Sequence, residues 1–208
     1  MLTDLQFSSA APSRIVEPVD TAVADPTDHE LMVAVRAGEI ARLGDLFERH
    51  HGALFGFFVR LTGDRTVAED LVQMVFYRIL KYRHTYRDEG RFSAWFYHLA
   101  RKVAADHFRR HSRTPLAADP TDLQAVPDET ASSDERAARA DELSLMRHAL
   151  AALPLEQREI LTLHRFQQLR HDEIARLLNI SVGATKVRVH RALSALRDRY
   201  FQLRRQPA

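Results

Sequence analysis

Asp172-Glu-Ile-Ala-Arg-Leu-Leu-Asn-Ile-Ser-Val-Gly-Ala-Thr-Lys-Val-Arg-Val-His-Arg-Ala192 reads as two short helices joined by a tight turn. Ile174, Ala175 and Leu178 are apolar at the spacing of one helix face. Ala175 is small, which lets the second helix cross closely. Asn179 tolerates a left-handed backbone at the turn. Ile180 is placed to plug the core, and Ser181 to cap the second helix. In that helix Val182, Thr185, Val189, Ala192, Leu193 and Leu196 form an inward stripe. Lys186, Arg188, His190 and Arg191 are left on the outward faces. Such a helix suits the major groove, where Arg reaches guanine and Lys a phosphate. The same residues also describe an ordinary amphipathic pair with a solvated basic face. The cap, the small residue, the turn and the basic face in register favour DNA.

The rest of the chain sets this unit in context. There are 208 residues and no cysteine, which excludes disulfides, thiolate zinc sites and a cysteine nucleophile. No apolar run approaches a membrane span, and residues 1–26 lack the order of a signal peptide. A cytoplasmic protein without membrane insertion is expected. Gly and Pro are few, amphipathic patterns recur, and no long stretch alternates with period two, so the fold class is all-α. Charge is distributed unevenly: residues 28–113 carry net +4, 114–145 net −6 and 146–208 net +7. Two basic segments around an acidic one point to two modules with a polyanion partner.

The expected organisation is a disordered arm over 1–26, a first helical domain over 27–112, a flexible acidic linker over 113–138, a second helical domain over 139–202 and a tail over 203–208. The two domains are expected to move semi-independently. Thr27-Asp28-His29-Glu30 and Thr66-Val67-Ala68-Glu69 are capping boxes that open helices. Further helices are predicted near 39–61, 92–110, 134–153, 154–168, 171–178 and 182–199. Between Arg78 and Arg113, ten basic residues outnumber three acidic ones, with aromatic residues interleaved. Bases stack on rings while cations follow phosphates, so this composition suits single-stranded DNA. Trp95 and Phe96 also read as core. Tyr86 lies in a loop and is the better candidate for holding a flipped base.

Leu153-Pro-Leu-Glu-Gln-Arg-Glu-Ile-Leu161 followed by Gly183-Ala-Thr-Lys-Val-Arg-Val-His-Arg-Ala192 resembles region 4 of the sigma-70 family, and specifically its extracytoplasmic-function (ECF) type. The family's usual run is close to Gly-Thr-Val-Lys-Ser-Arg-Leu-His-Arg-Ala. This chain departs from it at Ala184, Thr185 and Val187. Thr185 is tolerable facing inward if its hydroxyl bonds back along the helix. Val187 takes a small polar group off the DNA face. Ala68-Glu-Asp-Leu-Val-Gln-Met-Val-Phe-Tyr-Arg-Ile-Leu80 resembles region 2, and Phe92 to Arg110 its promoter-melting segment. The resemblance implies core RNA polymerase as partner, docked at Asp70 and Gln73. It implies a melted −10 strand held by Tyr86, Trp95, Lys102, Arg109 and Arg110. It also implies a duplex −35 element read by Lys186, Arg188, His190 and Arg191, with an anti-sigma factor as a further partner. Met74 stands where the family usually has an acidic residue, and Lys102 where it commonly has Asn.

Three classes remain open on the sequence: a sigma factor, a free-standing helix-turn-helix regulator, and a sigma-like decoy for an anti-sigma factor. A free-standing regulator leaves the 68–80 and 92–110 patterns unexplained. No enzyme is expected, since no nucleophile has its base and no Gly-rich phosphate loop occurs. No cofactor and no metal are expected. His50-His51, the His107 and His111 pair, and His164 with His171 lack a third ligand at suitable spacing.

Overall fold

The computed structural model describes residues 25–87, 91–111 and 133–205. Most of the arm expected over 1–26, most of the linker expected over 113–138 and the end of the tail fall outside the described residues. Among the described residues every regular element is helical. α1 spans Asp28–Ala37, α2 Arg42–Thr62, α3 Arg65–Tyr82 and α4 Phe92–His111. α5 spans Ser133–Ala151, α6 Leu155–Leu161, α7 His171–Leu178 and α8 Val182–Arg204.

Local chemistry accounts for most boundaries. Thr27 Oγ1 accepts from the Glu30 N–H at 3.3 Å, and the Glu30 carboxylate accepts from the Thr27 N–H at 2.7 Å. This reciprocal cap satisfies two donors that α1 would leave orphaned. The backbone hydrogen bond from Thr27 holds the Glu30 carboxyl below its usual pKa. The second predicted box is shifted. α3 is capped by Asp64, whose Oδ1 accepts from the Val67 N–H at 3.0 Å, and Thr66 lies inside the first turn. Gly63 ends α2 in the left-handed region at φ 74°, so the very next residue is free to cap. Asp64→Ala is therefore expected to cost about 1 kcal/mol, and Thr66→Ala much less. Chemical denaturation of the two variants checks the order, and the reverse order contradicts it.

α5 begins at Ser133, one residue from the helix start expected near 134 and inside the span expected to be linker; Ser-Asp-Glu-Arg followed by alanines favours a helix start. One further boundary differs from the sequence reading. The helix after Pro154 does not run on to 168. It gives way at Thr162 to a wider π turn, Thr162–Phe166, in which the Gln167 N–H reaches back five residues to Thr162 O at 3.1 Å.

α2 packs on α3, with α1 and α4 laid against them, and Phe57, Phe58, Phe96 and Ile79 are fully buried between these helices. In the second half, α5, α6 and α7 gather around α8. The halves also touch. α2 meets α5, α6 and the π turn, α4 meets α7, and one buried cluster draws residues from both sides. The sequence reading expects two semi-independent units; here they are in contact.

Candidate polymerase and promoter surfaces

The helix-turn-helix is assembled by local bonds. Asn179 adopts φ 53°, ψ 50°, and the Ile180 N–H bonds to Ala175 O at 2.9 Å. Ser181 Oγ accepts from the Ala184 N–H at 3.1 Å. The Thr185 side chain is fully buried, and its hydroxyl donates to Ser181 O at 3.1 Å. That bond is what makes a hydroxyl acceptable at an inward position. Thr185, Val189 and Ala192 face the core, with Leu193 and Leu196 packed at its edge. Val182, predicted inward, is exposed.

Successive α-helical residues turn by about 100°. Opposite the Thr185–Val189–Ala192 stripe lie Val187, His190 and Arg191, while Lys186 and Arg188 stand on the two flanks. All five are exposed. The centre of this face thus carries an apolar group beside two long polar ones. Its flanks carry fixed positive charge.

On α3, Ala68, Leu71, Val72, Val75 and Ile79 point inward. Asp70, Gln73, Met74 and Tyr77 are exposed at spacings of three and four, so they share one outward stripe. Met74 and Tyr77 are large apolar side chains left in solvent. Tyr77 was not singled out from the sequence, although its spacing from Asp70 and Gln73 marks it.

The expected base pocket requires a correction. Tyr86 does not present its ring from a loop; it is 2% exposed. Its hydroxyl shares a 2.8 Å hydrogen bond with His29 Nδ1, and its carbonyl accepts from the Arg36 guanidinium at 2.9 Å. Its ring meets Trp95 edge-on, with centroids 5.1 Å apart. A phenol with a partner for its hydroxyl and a ring for its edge is better buried than wet. Trp95 is half-buried and lines a cleft of about 310 Å³ with Arg87, Arg91 and His98. Burial first, and Lys102 next, push the His98 pKa down, so the neutral ring is favoured beside these cations.

Lys102, Arg109 and Arg110 are exposed along α4. Arg109 pairs with Asp106, which also accepts from Arg78 at 2.5 Å. The Arg78 hydrogen bond holds the Asp106 carboxyl below its usual pKa. Among the described residues no group of three or more His, Asp or Glu is placed to hold a metal. His50 bonds Asp28 at 2.8 Å, and the paired rings of His107 and His111 stack at 4.3 Å. Among the described residues no helix is long and apolar enough to cross a membrane.

Comparison with known proteins accounts for both halves. Residues 46–114 match the family pattern described as sigma-70 region 2, and residues 143–196 that described as sigma-70, region 4. Over 170 residues the chain is 32% identical to the RNA polymerase sigma factor CarQ of Myxococcus xanthus, covering 80% of this chain and 94% of that one. The chain belongs to the ECF sigma factors of the sigma-70 family. The ECF sigma factor SigL of Mycobacterium tuberculosis is 33% identical over 162 residues, 77% of this chain and 90% of that one. The fold agrees with a solved structure of CnrH in complex with the cytosolic domain of CnrY, with TM-score 0.62 and 23% identity over 82% of this chain and 95% of that one. It also agrees with RpoE of Bartonella quintana, solved with the anti-sigma factor NepR, with TM-score 0.58 and 23% identity over 75% and 94%. As a sigma factor the chain acts in transcription initiation. A free-standing regulator has no need of the region 2 half.

Proposed function

We infer that this sigma factor binds core RNA polymerase through the outward stripe of α3 and carries it to promoters read at two places. Residues 27–112 form the polymerase-docking and −10 unit, and 139–202 the −35 unit. Asp70 and Gln73 supply polar contacts to polymerase, flanked by Met74 and Tyr77. Met74 replaces a family carboxylate, so the docking face gains apolar contact where it loses charge. α8 enters the major groove of the −35 element. Arg191 and His190 reach base edges, and Lys186 and Arg188 contact phosphates on either side. Val187 between them suits a thymine methyl. On the −10 side Trp95 supplies the stacking ring, Tyr86 props it from behind, and Lys102, Arg109 and Arg110 follow the strand. An anti-sigma factor holds the chain until a signal arrives, and the exposed Met74 and Tyr77 give such a partner an apolar anchor.

The observation that carries this reading is the face of α8. His190 and Arg191 stand opposite a buried stripe and Lys186 and Arg188 flank it, all exposed, on a helix held by a capped turn. Arg191→Ala is expected to reduce discrimination at one −35 base pair by roughly 1–2 kcal/mol. Lys186→Ala should weaken all sequences alike and lower the salt slope by about 1. Binding of the holoenzyme to a −35 variant library at several salt concentrations checks both. Equal loss on every sequence for Arg191→Ala would remove it from base reading.

A further inference from the structure

We propose that the cleft beside Trp95 binds a free guanine nucleotide, with Glu173 of α7 taking the base and the arginines that line the cleft taking the phosphates. The proposal concerns the chain without polymerase or promoter. It stands whether or not Trp95 also stacks on a −10 strand.

The observation that carries it is a buried carboxylate with one oxygen unused. Glu173 is 2% exposed, yet it lines the cleft. Its Oε2 accepts from the Arg170 N–H at 2.8 Å, which closes the first turn of α7. Its Oε1 receives no hydrogen bond. Arg91 Nε stands 3.5 Å from Oε1, too long for a good hydrogen bond, on a side chain that is 62% exposed. A carboxylate oxygen taken out of water without a donor destabilises the fold. In the wall of a cleft, such a group points to a ligand that brings the donor.

The chemistry of that oxygen selects the ligand. A carboxylate only accepts, so it favours a base edge that carries donors alone. Guanine presents its ring N1–H and its 2-amino group side by side. Adenine and cytosine set a ring acceptor beside their amino group, and uracil sets a carbonyl on each side of its N–H. Each of those turns a lone pair toward Glu173. The half-buried Trp95 ring lines the same cleft, and nucleobases stack on such rings whatever their identity. Stacking thus supplies affinity, and Glu173 supplies the choice of base.

Charge and size fit the rest of the nucleotide. Arg87, Arg91 and Arg176 line the cleft and are exposed. Guanidinium forks suit phosphate oxygens. A guanine that donates to Glu173 Oε1 releases Arg91 from it, and Arg91 is then available to a phosphate. Arg176 Nη2 pairs with Asp172 at 2.9 Å, an exposed contact that a phosphate can enter at little cost. The volume of about 310 Å³ lies at the lower end of small-molecule sites and suits a single nucleotide. The walls are held by Arg101 of α4. Its Nη1 donates to Leu177 O of α7 at 2.7 Å, and its Nε and Nη2 fork onto Glu159 of α6 at 2.8 and 3.2 Å.

Trp95 is the chain's single tryptophan, so its fluorescence reports on the cleft directly. Guanosine diphosphate added to the full-length chain should quench it saturably, and calorimetry should return the same affinity. Inosine diphosphate lacks the 2-amino group and should bind roughly tenfold more weakly. Adenosine and uridine diphosphates should bind more weakly still. Glu173→Gln keeps an acceptor for the Arg170 N–H but turns an amide donor toward the base. It should weaken guanosine diphosphate roughly tenfold and erase its preference over adenosine diphosphate. Arg176→Ala should weaken guanosine diphosphate and leave guanosine unchanged. Neither quenching nor heat with guanosine diphosphate overturns the site. Equal affinity for all the diphosphates reduces it to a basic surface and overturns the base assignment, a result that decides even if Glu173→Gln misfolds. Unchanged affinity in a folded Glu173→Gln chain overturns it too. A short single strand with one guanine and no terminal phosphate should compete no better than guanosine. A strand that binds more tightly assigns the cleft to nucleic acid and overturns the free-nucleotide reading. These measurements contain no polymerase, so failure of the promoter reading is seen separately, as absence of transcripts.

Discussion

Asp70→Arg is expected to weaken binding to core RNA polymerase by about 3 kcal/mol, roughly a hundredfold, while the chain stays folded. Asp70 is exposed on α3 and sits outside the buried stripe of Leu71, Val72 and Val75. Its loss therefore leaves packing intact. Reversing its sign places a like charge against whatever cation it meets, and such juxtapositions cost several kcal/mol at an interface. With Met74 supplying no carboxylate, Asp70 carries more of the electrostatic burden on this face. Titration of labelled core polymerase, with circular dichroism as the control for folding, measures the change. Equal affinity for the two proteins would move the docking surface elsewhere.

Trp95→Ala is expected to slow open-complex formation roughly ten- to a hundredfold, the range of about 1–3 kcal/mol for one lost base stack. Duplex −35 binding should be unchanged, because α8 is untouched. A template already melted over the −10 element should restore only part of the rate, since the stacking ring is still missing. Tyr86 separates support from stacking. Tyr86→Phe removes the hydroxyl bonded to His29 but keeps the edge against Trp95. It should lower stability modestly and leave promoter opening near normal. Permanganate reactivity of the −10 thymines on closed and pre-melted templates reads both variants. A normal rate for Trp95→Ala would remove it from the site.

The parts of the fold legible in the sequence are those held by near neighbours. Asn179, Ser181 and Thr185 announce the turn and cap of the helix-turn-helix, because each bond they form spans five residues or fewer. The charged face of α8 follows from helical spacing once the buried stripe is known. That Asp70 and Gln73 share an exposed stripe of α3 follows from the same spacing, and Tyr77 was available on the same count. Tyr86 was not legible. It does lie in the loop, but its burial depends on His29, 57 positions away, and a polar-flanked tyrosine in a loop reads as exposed until that partner is placed. The docking of the halves was hidden in the same way. Arg101 and Glu159 are 58 residues apart, and each alone reads as an ordinary surface charge. The π turn at Thr162–Phe166 leaves no local mark, since Thr-Leu-His-Arg-Phe is compatible with continued α-helix. It is explained by what it reaches, Tyr97 and Arg60 on the other half.

As a sigma factor, this chain gives core polymerase its choice of promoter. The most direct measurement is reconstitution of the purified chain with core polymerase on a promoter library randomised at the −35 and −10 positions, with sequencing of the transcripts. The account predicts transcripts that depend on the added chain, start at a subset of templates sharing both elements, and shift their −35 consensus at one position when Arg191→Ala is used. Transcripts unchanged by adding the chain, or promoters selected without regard to either element, would contradict it.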